Sequence, residues 1–197
     1  AVPATTRVLA IASGKGGVGK SSVSANLAVG LAARGFVVGV LDADIWGFSM
    51  PRMLGLDGRL TAQAGEGGST RIVPERLEIG AGRLEVVSMG LLVDDETDAL
   101  MWRGLILNRA VQHFLEDVAW PDDLQYLLVD MPPGTGDVQM GLARMLPQAE
   151  MVVVTTPALA AQKVASRAVT MARKSYLRVL GVIANMSSFE CEHGTSY

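Results

Sequence analysis

The chain has 197 residues, 49% of them apolar, which suits the core of one α/β domain. A net charge of −3 without a dense basic stripe gives little support for nucleic acid as a main partner, because phosphate backbones bind to basic faces. A single cysteine excludes an internal disulfide framework. Neither a leader peptide nor an apolar run long enough to span a membrane is recognisable in the sequence. We therefore expect a cytoplasmic protein with no membrane partner.

Six apolar runs are predicted to be strands: VLAIAS, VVGVLDAD, LEVVSMG, YLLVDMPP, MVVVTTP and RVLGVIANM. Most are continuously apolar, which is typical of strands buried on both faces of a parallel sheet. Helical spacing predicts helices over 22–33, 105–118 and 158–176, whereas the Gly-rich stretch 57–83 is expected to be a mobile loop with a short hairpin. This alternation predicts an α/β fold, with three α/β/α layers around a mostly parallel sheet, in one domain over residues 1–197.

The stretch SGKGGVGKSS, residues 13–22, joins the first strand to the first helix and contains the pattern G-x-x-x-x-G-K-[ST]. Its glycines let backbone N–H groups wrap an anion, and the helix adds its positive amino end. We expect Lys20 to reach the β- and γ-phosphates of ATP and Ser21 to place its hydroxyl on Mg²⁺. The predicted cradle consists of Gly14, Lys15, Gly16, Gly17, Val18, Gly19, Lys20, Ser21 and Ser22. The alternative, a Gly-rich turn with incidental lysines, is disfavoured by the flanking strand and helix.

Asp130 ends a buried strand in LLVDMPPGTGD, where an unpaired carboxylate would be costly. Ligands of open α/β sheets bind at the carboxyl ends of strands, so we expect Asp130 to hold Mg²⁺ through water. The alternative is a structural carboxylate that caps a turn. Gly134 is the predicted sensor of the γ-phosphate, because no side chain keeps its N–H from an oxygen.

Two further strand ends carry candidate polar groups. Alternation along DADIWGFS points Asp42 and Asp44 to the same side, and we expect Asp44, further out, to orient or deprotonate the water that attacks the γ-phosphate. An Asx-type turn is the alternative.

Asn185, at the end of the last strand, has an amide that suits the edge of an adenine. The alternative is that Asn185 closes a turn.

The phosphate motif needs one lysine, yet the loop contains Lys15 as well as Lys20. GKGGVGKSS resembles the deviant Walker A loop, KGGxGK[ST], of the MinD/ParA-like ATPases. The resemblance implies that Lys15 reaches across a homodimer interface to the partner's nucleotide. There it would supply a cation in trans to the charge that develops during phosphoryl transfer, as an arginine finger does.

Longer phrases, among them DADIWGFSMPRMLG, YLLVDMPPGTGDVQM and GVIANMSSFEC, resemble the Mrp/ApbC branch of iron–sulfur cluster carrier ATPases. The resemblance implies a Mg²⁺-dependent ATPase that binds a cluster, often 4Fe–4S, at its dimer interface and passes it to apo iron–sulfur proteins. A cluster-free MinD/ParA-like switch ATPase, acting in spatial organisation or on a partner, is the alternative function.

The chain departs from this family at the cluster motif and in length. Where the family has C-P-x-C, this sequence has FECEHGTSY, so Cys191 matches the first ligand and Gly194 takes the place of the second. Two subunits would then give two thiolates where such clusters generally need four ligands. Cys191 is therefore either a cluster ligand or a free thiol, and His193 either a substitute ligand or a solvated loop residue. The family also continues beyond this point with further strands and a helix, so the resemblance leaves two alternatives: the chain is a fragment, or its segment after Cys191 is incomplete.

Overall fold

The computed structural model describes residues 1–44, 49–57, 60–64, 70–88, 112–134, 141, 145, 147–188, 191 and 193. The described elements are, in chain order, β1 (Arg7–Ser13), α1 (Lys20–Ala32), β2 (Val37–Asp42), α2 (Ser49–Leu54), β3 (Thr61–Ala64), β4 (Thr70–Val73), β5 (Glu75–Ile79), β6 (Gly82–Ser88), β7 (Tyr126–Asp130), β8 (Glu150–Thr155), α3 (Leu159–Lys174) and β9 (Arg178–Ala184). Residues 112–116 are also helical.

Seven strands form the main sheet in the order β5-β6-β2-β7-β1-β8-β9, and β3 pairs with β4 in a separate hairpin. All neighbours in the main sheet are parallel except β5 and β6. Parallel neighbours need crossover connections, and α1 and α3 are two of the helices that provide them. The predicted α/β class with a mostly parallel sheet is confirmed.

Two apolar clusters lie on opposite faces of the sheet, because successive side chains of a strand point to opposite sides. On β1, Val8, Ala10 and Ala12 belong to the cluster that contains the alanines of α3, whereas Leu9 and Ile11 belong to the cluster that contains the alanines of α1. The small alanine side chains let both helices approach the sheet closely. The result is the predicted arrangement of three layers.

All six predicted strands are present, but the stretch 57–83 was predicted wrongly in part. It contains the expected hairpin of β3 and β4, and also β5, which pairs antiparallel with β6 at the edge of the main sheet. Residues of β5 alternate between half-buried and exposed, since one face of an edge strand meets solvent.

Two other expectations need correction. The helix predicted over 105–118 is described only from residue 112, with 105–111 outside the described residues, and it ends at 116 because Val118 forms a bridge with Ile72 of β4. Strand β9 was expected to be buried on both faces, yet most of its residues are exposed; among the described strands it lies at the other edge of the main sheet. Among the described helices, none has the length and apolarity needed to cross a bilayer.

Candidate phosphate-binding site

The order of the strands brings the candidate residues to one edge of the sheet. Strand β7 lies between β1 and β2, and Asp130 is in register with both Ile11 and Asp42. The glycine-rich loop begins just after β1, so it meets the ends of β7 and β2 at the carboxyl edge. Open α/β sheets bind ligands at such edges.

The loop has the backbone shape of an anion cradle. Gly17 and Gly19 have φ of 76° and 80°, a conformation that side chains with a Cβ rarely adopt. Helix α1 begins at Lys20 with no side chain capping its amino end, which leaves its first N–H groups to a ligand. The loop borders a cavity of about 240 Å³ whose lining includes Lys15, Gly16, Lys20, Ser21 and Asp44.

Lys20 and Asp130 form a buried ion pair at the base of this cavity. The Lys20 Nζ lies 2.8 Å from Oδ2 of Asp130 and 3.6 Å from Oδ2 of Asp44, and its side chain is 6% exposed. Ser21 and Ser24 donate hydrogen bonds to the two oxygens of Asp130, at 2.6 and 2.7 Å respectively. Buried charges need such partners, since desolvation of an unpaired ion is expensive.

This donor set fits Mg²⁺. The Asp130 and Asp44 carboxylates and the Ser21 hydroxyl supply hard oxygen ligands, which Mg²⁺ prefers. Ser21 is already hydrogen-bonded to Asp130. The set is sparse, because the described residues contain no group of three or more His, Cys, Asp or Glu suited to a metal. Mg²⁺ characteristically keeps several waters and takes its other ligands from substrate phosphates, so a sparse set is sufficient.

Asp42 and Asp44 face different partners. Asp44 lines the cavity and lies within 3.6 Å of Lys20. Asp42, the last residue of β2, accepts hydrogen bonds from the Ser88 hydroxyl at 3.0 Å and from the Asp44 backbone N–H at 3.1 Å. Burial raises the pKa of the Asp42 carboxyl to about 7, and the Asp130 charge adds to that rise. Of the two carboxylates, only Asp44 is placed to meet a ligand in the cavity.

Of the other predicted residues, Lys15, Gly134 and Asn185 lie at the same edge, with different surroundings. Lys15 is exposed, and the described part of the chain offers its ammonium no hydrogen-bond or ion-pair partner. The Gly134 N–H donates to the Ser13 carbonyl at 3.0 Å, and the Asn185 Nδ2 donates to the Val18 carbonyl at 3.0 Å. Cys191 is half-buried and in no disulfide, and His193 is exposed.

Two serines at the site were not predicted. Ser24 lies three residues after Ser21, a spacing that places both hydroxyls on one face of α1 toward Asp130. Ser88 ends β6 and is in register with Asp42 of β2. Helical spacing within KSSVS could have indicated Ser24, whereas Ser88 requires the knowledge that β6 neighbours β2.

The raised pKa of Asp42 makes a testable prediction for stability. A carboxyl whose pKa is higher in the folded state than its ordinary value of 3.8 favours folding when protonated, so its contribution is full below about pH 3.8 and is lost as pH rises through about 7. Asp42→Asn mimics the protonated acid, because an amide can accept from Asp44 and donate to Ser88. We expect this variant to reduce the dependence of the unfolding free energy on pH by up to ~1.4 kcal/mol per pH unit in that window.

Urea unfolding of both proteins at a series of pH values measures this difference. Asp57→Asn, which removes an exposed carboxylate, is the control and should leave the pH profile unchanged. Parallel profiles for Asp42→Asn and the unmodified protein would show that Asp42 does not titrate in this window.

The chain matches one protein family and several curated proteins over nearly its whole length. A family model described as ParA: NUBPL iron-transfer P-loop NTPase matches residues 4–197. The chain is 48% identical over 191 residues to the iron-sulfur cluster carrier protein of Mycobacterium tuberculosis, a match that covers 97% of this chain and 47% of that protein. It is 45% identical over 187 residues to the protein of the same name from Escherichia coli, covering 94% of this chain and 48% of that protein. The chain thus spans about half the length of these curated relatives.

Solved structures show the same fold. A nucleotide-binding protein from Archaeoglobus fulgidus, in complex with ADP, superposes with a TM-score of 0.78 at 36% identity, covering 97% of this chain and 71% of that one. The septum site-determining protein MinD from Pyrococcus horikoshii, complexed with Mg-ADP, gives a TM-score of 0.62 at 23% identity, covering 91% of this chain and 70% of that one. At 23% identity, the similarity to MinD concerns the fold alone.

Proposed function

Because the chain belongs to the iron-transfer P-loop NTPase family, whose model matches residues 4–197, we propose that it is a homodimeric, Mg²⁺-dependent ATPase that carries iron–sulfur clusters to apo-proteins. One observation supports the ATPase part above all. The Lys20 ammonium is buried between Asp130 and Asp44 behind a glycine-rich loop that borders an open cavity. A cation, two carboxylates and a cradle of N–H groups are what binding and cleavage of a triphosphate require.

Lys20 is the principal phosphate ligand in this proposal. When a triphosphate enters the cradle, its charge competes with Asp130 and Asp44 for the Lys20 ammonium. Lys20 would turn toward the β- and γ-phosphates, and the two carboxylates would lose their cation. Mg²⁺, held by Ser21 and Asp130, would supply the compensating charge and neutralise phosphate oxygens during transfer. Nucleotide and Mg²⁺ should therefore bind cooperatively.

Asp44 is the proposed base or orienting group for the attacking water. It lines the cavity beside Lys20, whereas Asp42 is turned toward Ser88 and buried. A carboxylate needs only to be within hydrogen-bond reach of the water in the loaded site. Gly134 is the proposed γ-phosphate sensor, and for that role its N–H would exchange the Ser13 carbonyl for a phosphate oxygen.

Lys15 is the proposed cation in trans. It lies at the mouth of the cavity and is exposed, and no described residue neutralises it. A lysine whose role is to reach a second subunit's nucleotide has to be free in this way. Two triphosphates held between two subunits would repel each other, and inserted lysines from both sides would offset that repulsion.

Cluster carriage is the part of the proposal supported by the relatives' names, and Cys191 is its proposed ligand. The relatives are named iron-sulfur cluster carrier proteins, and Cys191 follows Asn185 of the nucleotide site by six residues. A homodimer would offer two Cys191 thiolates to a bridging 4Fe–4S cluster, with other ligands needed to complete the set. Apo iron–sulfur proteins are the proposed recipients.

Anaerobic reconstitution with iron and sulfide tests cluster carriage. We expect a charge-transfer absorption band at about 400 nm, typical of iron–thiolate ligation, with iron and sulfide in equal amounts. Cys191→Ser should lose the band and retain ADP binding, because the phosphate loop is unchanged.

If the unmodified protein gives no band but binds and hydrolyses ATP, the cluster-free switch ATPase becomes the better account. The cluster-free switch ATPase is the second candidate because the sequence has only one cysteine to ligate a cluster. If neither ADP nor ATP binds, the whole proposal fails.

A further inference from the structure

Asn185 makes a contact that the proposed reaction does not use. It follows β9, the edge strand, and β8 lies between β9 and β1. Its backbone N–H donates to Thr155 at the end of β8, at 2.8 Å, and its side-chain Nδ2 reaches the carbonyl of Val18 inside the phosphate loop, at 3.0 Å. This bond joins residues 167 positions apart in the chain.

The contact determines the direction of one peptide group of the cradle. The described residues contain no cis peptide bond, and in a trans peptide the carbonyl and the following N–H point in opposite directions. When Asn185 holds the Val18 carbonyl, it directs the Gly19 N–H to the other side of the peptide. Gly19 lines the phosphate cavity, and none of the described residues accepts a hydrogen bond from its N–H.

The packing around this bond is tight. A Cβ placed on Gly19 would lie 2.3 Å from the Asn185 Nδ2 and 3.5 Å from the Met186 Cε. A distance of 2.3 Å is impossible for a real side chain, so the loop and the amide are in direct contact. The Val18–Gly19 peptide therefore has little freedom to rotate while Asn185 is in place.

We propose that Asn185 is a positioning residue for phosphate binding: its amide fixes the Val18–Gly19 peptide so that the Gly19 N–H is presented to the anion before the ligand arrives. This inference rests on the proposed function, in which the loop binds phosphates. It differs from the sequence-based prediction that Asn185 contacts adenine, because it requires no base in the ligand.

Pyrophosphate, which has no base, separates the two roles. Titration calorimetry with Mg²⁺ would measure the affinity of the unmodified chain and of Asn185→Ala for pyrophosphate and for ADP. We expect the variant to bind both ligands about 3- to 10-fold more weakly, the size expected for one hydrogen bond. Asn185→Leu, which is similar in size, uncharged and unable to donate to Val18, should weaken both as well, and it replaces the alanine variant if that variant does not fold.

Ser188→Ala is the matched control, because Ser188 is exposed in the same segment and the described residues show no hydrogen bond from its side chain to the loop. It should leave both affinities unchanged. Weaker binding of ADP with unchanged binding of pyrophosphate would overturn the positioning role in favour of an adenine contact. Unchanged binding of both ligands by Asn185→Ala would overturn it as well, with the proposed function intact. Failure of the unmodified chain to bind either ligand would overturn both proposals.

Discussion

Lys15→Ala is expected to reduce ATP hydrolysis by about 10³-fold while nucleotide binding stays within about 3-fold of the unmodified protein. The magnitude follows from cations supplied in trans to a transferring phosphoryl group, whose removal costs at least that much. Binding should persist because Lys20 and the loop amides, not Lys15, hold the phosphates in the same subunit. Steady-state phosphate release and fluorescent-nucleotide titration measure the two quantities.

The same variant should lose dimerisation that depends on ATP. Sedimentation with a non-hydrolysable ATP analogue and Mg²⁺ would show a dimer for the unmodified chain and a monomer for Lys15→Ala. Lys163→Ala, which removes an exposed lysine of α3, is the matched control and should behave like the unmodified chain. Normal turnover by Lys15→Ala, or an unmodified chain that stays monomeric with saturating nucleotide, would contradict the role in trans.

Much of the fold could be predicted because the buried strands of a parallel sheet have an unambiguous pattern. The run YLLVD contains three consecutive apolar residues, Leu127 to Val129, and all three are fully buried. Strand β5 was missed because ERLEI alternates between charged and apolar residues beside several glycines, a pattern that also fits a polar loop. Its pairing with β6 is a tertiary contact, and local composition does not encode it.

The candidate site was predictable where a motif is local and unpredictable where it depends on the order of the strands. Residues 14–19 lie between β1 and α1, and the motif in that context indicates a phosphate cradle. The pairing of Lys20 with Asp130 joins residues 110 positions apart, and it requires β7 to lie beside β1. Likewise, the difference between Asp42 and Asp44 arises from Ser88, which approaches only because β6 neighbours β2.

Asp130→Ala is expected to destabilise the protein without nucleotide by about 3 kcal/mol, the lower end of the range for breaking a buried ion pair. Asp130 is 1% exposed, and its loss leaves the Lys20 ammonium buried without its nearest partner and the Ser21 hydroxyl without its acceptor, whereas Ser24 keeps the Lys20 carbonyl. The estimate is at the lower end because Asp44 remains 3.6 Å from Lys20. Urea unfolding at neutral pH measures the change, and Asp57→Ala at an exposed site is the control.

A second substitution distinguishes the lost pair from a general packing defect. In the Asp130→Ala background, Lys20→Met removes the buried charge that has lost its partner, so stability should recover by about 1 kcal/mol or more, since an unpaired buried ion costs more than an apolar side chain of similar length. Packing damage alone predicts that the two substitutions add. An Asp130→Ala protein within about 0.5 kcal/mol of the unmodified one would mean that Asp44 alone can hold Lys20. The pair would then contribute little to stability, and the position of Asp130 would have to be explained by its proposed role as a ligand of Mg²⁺.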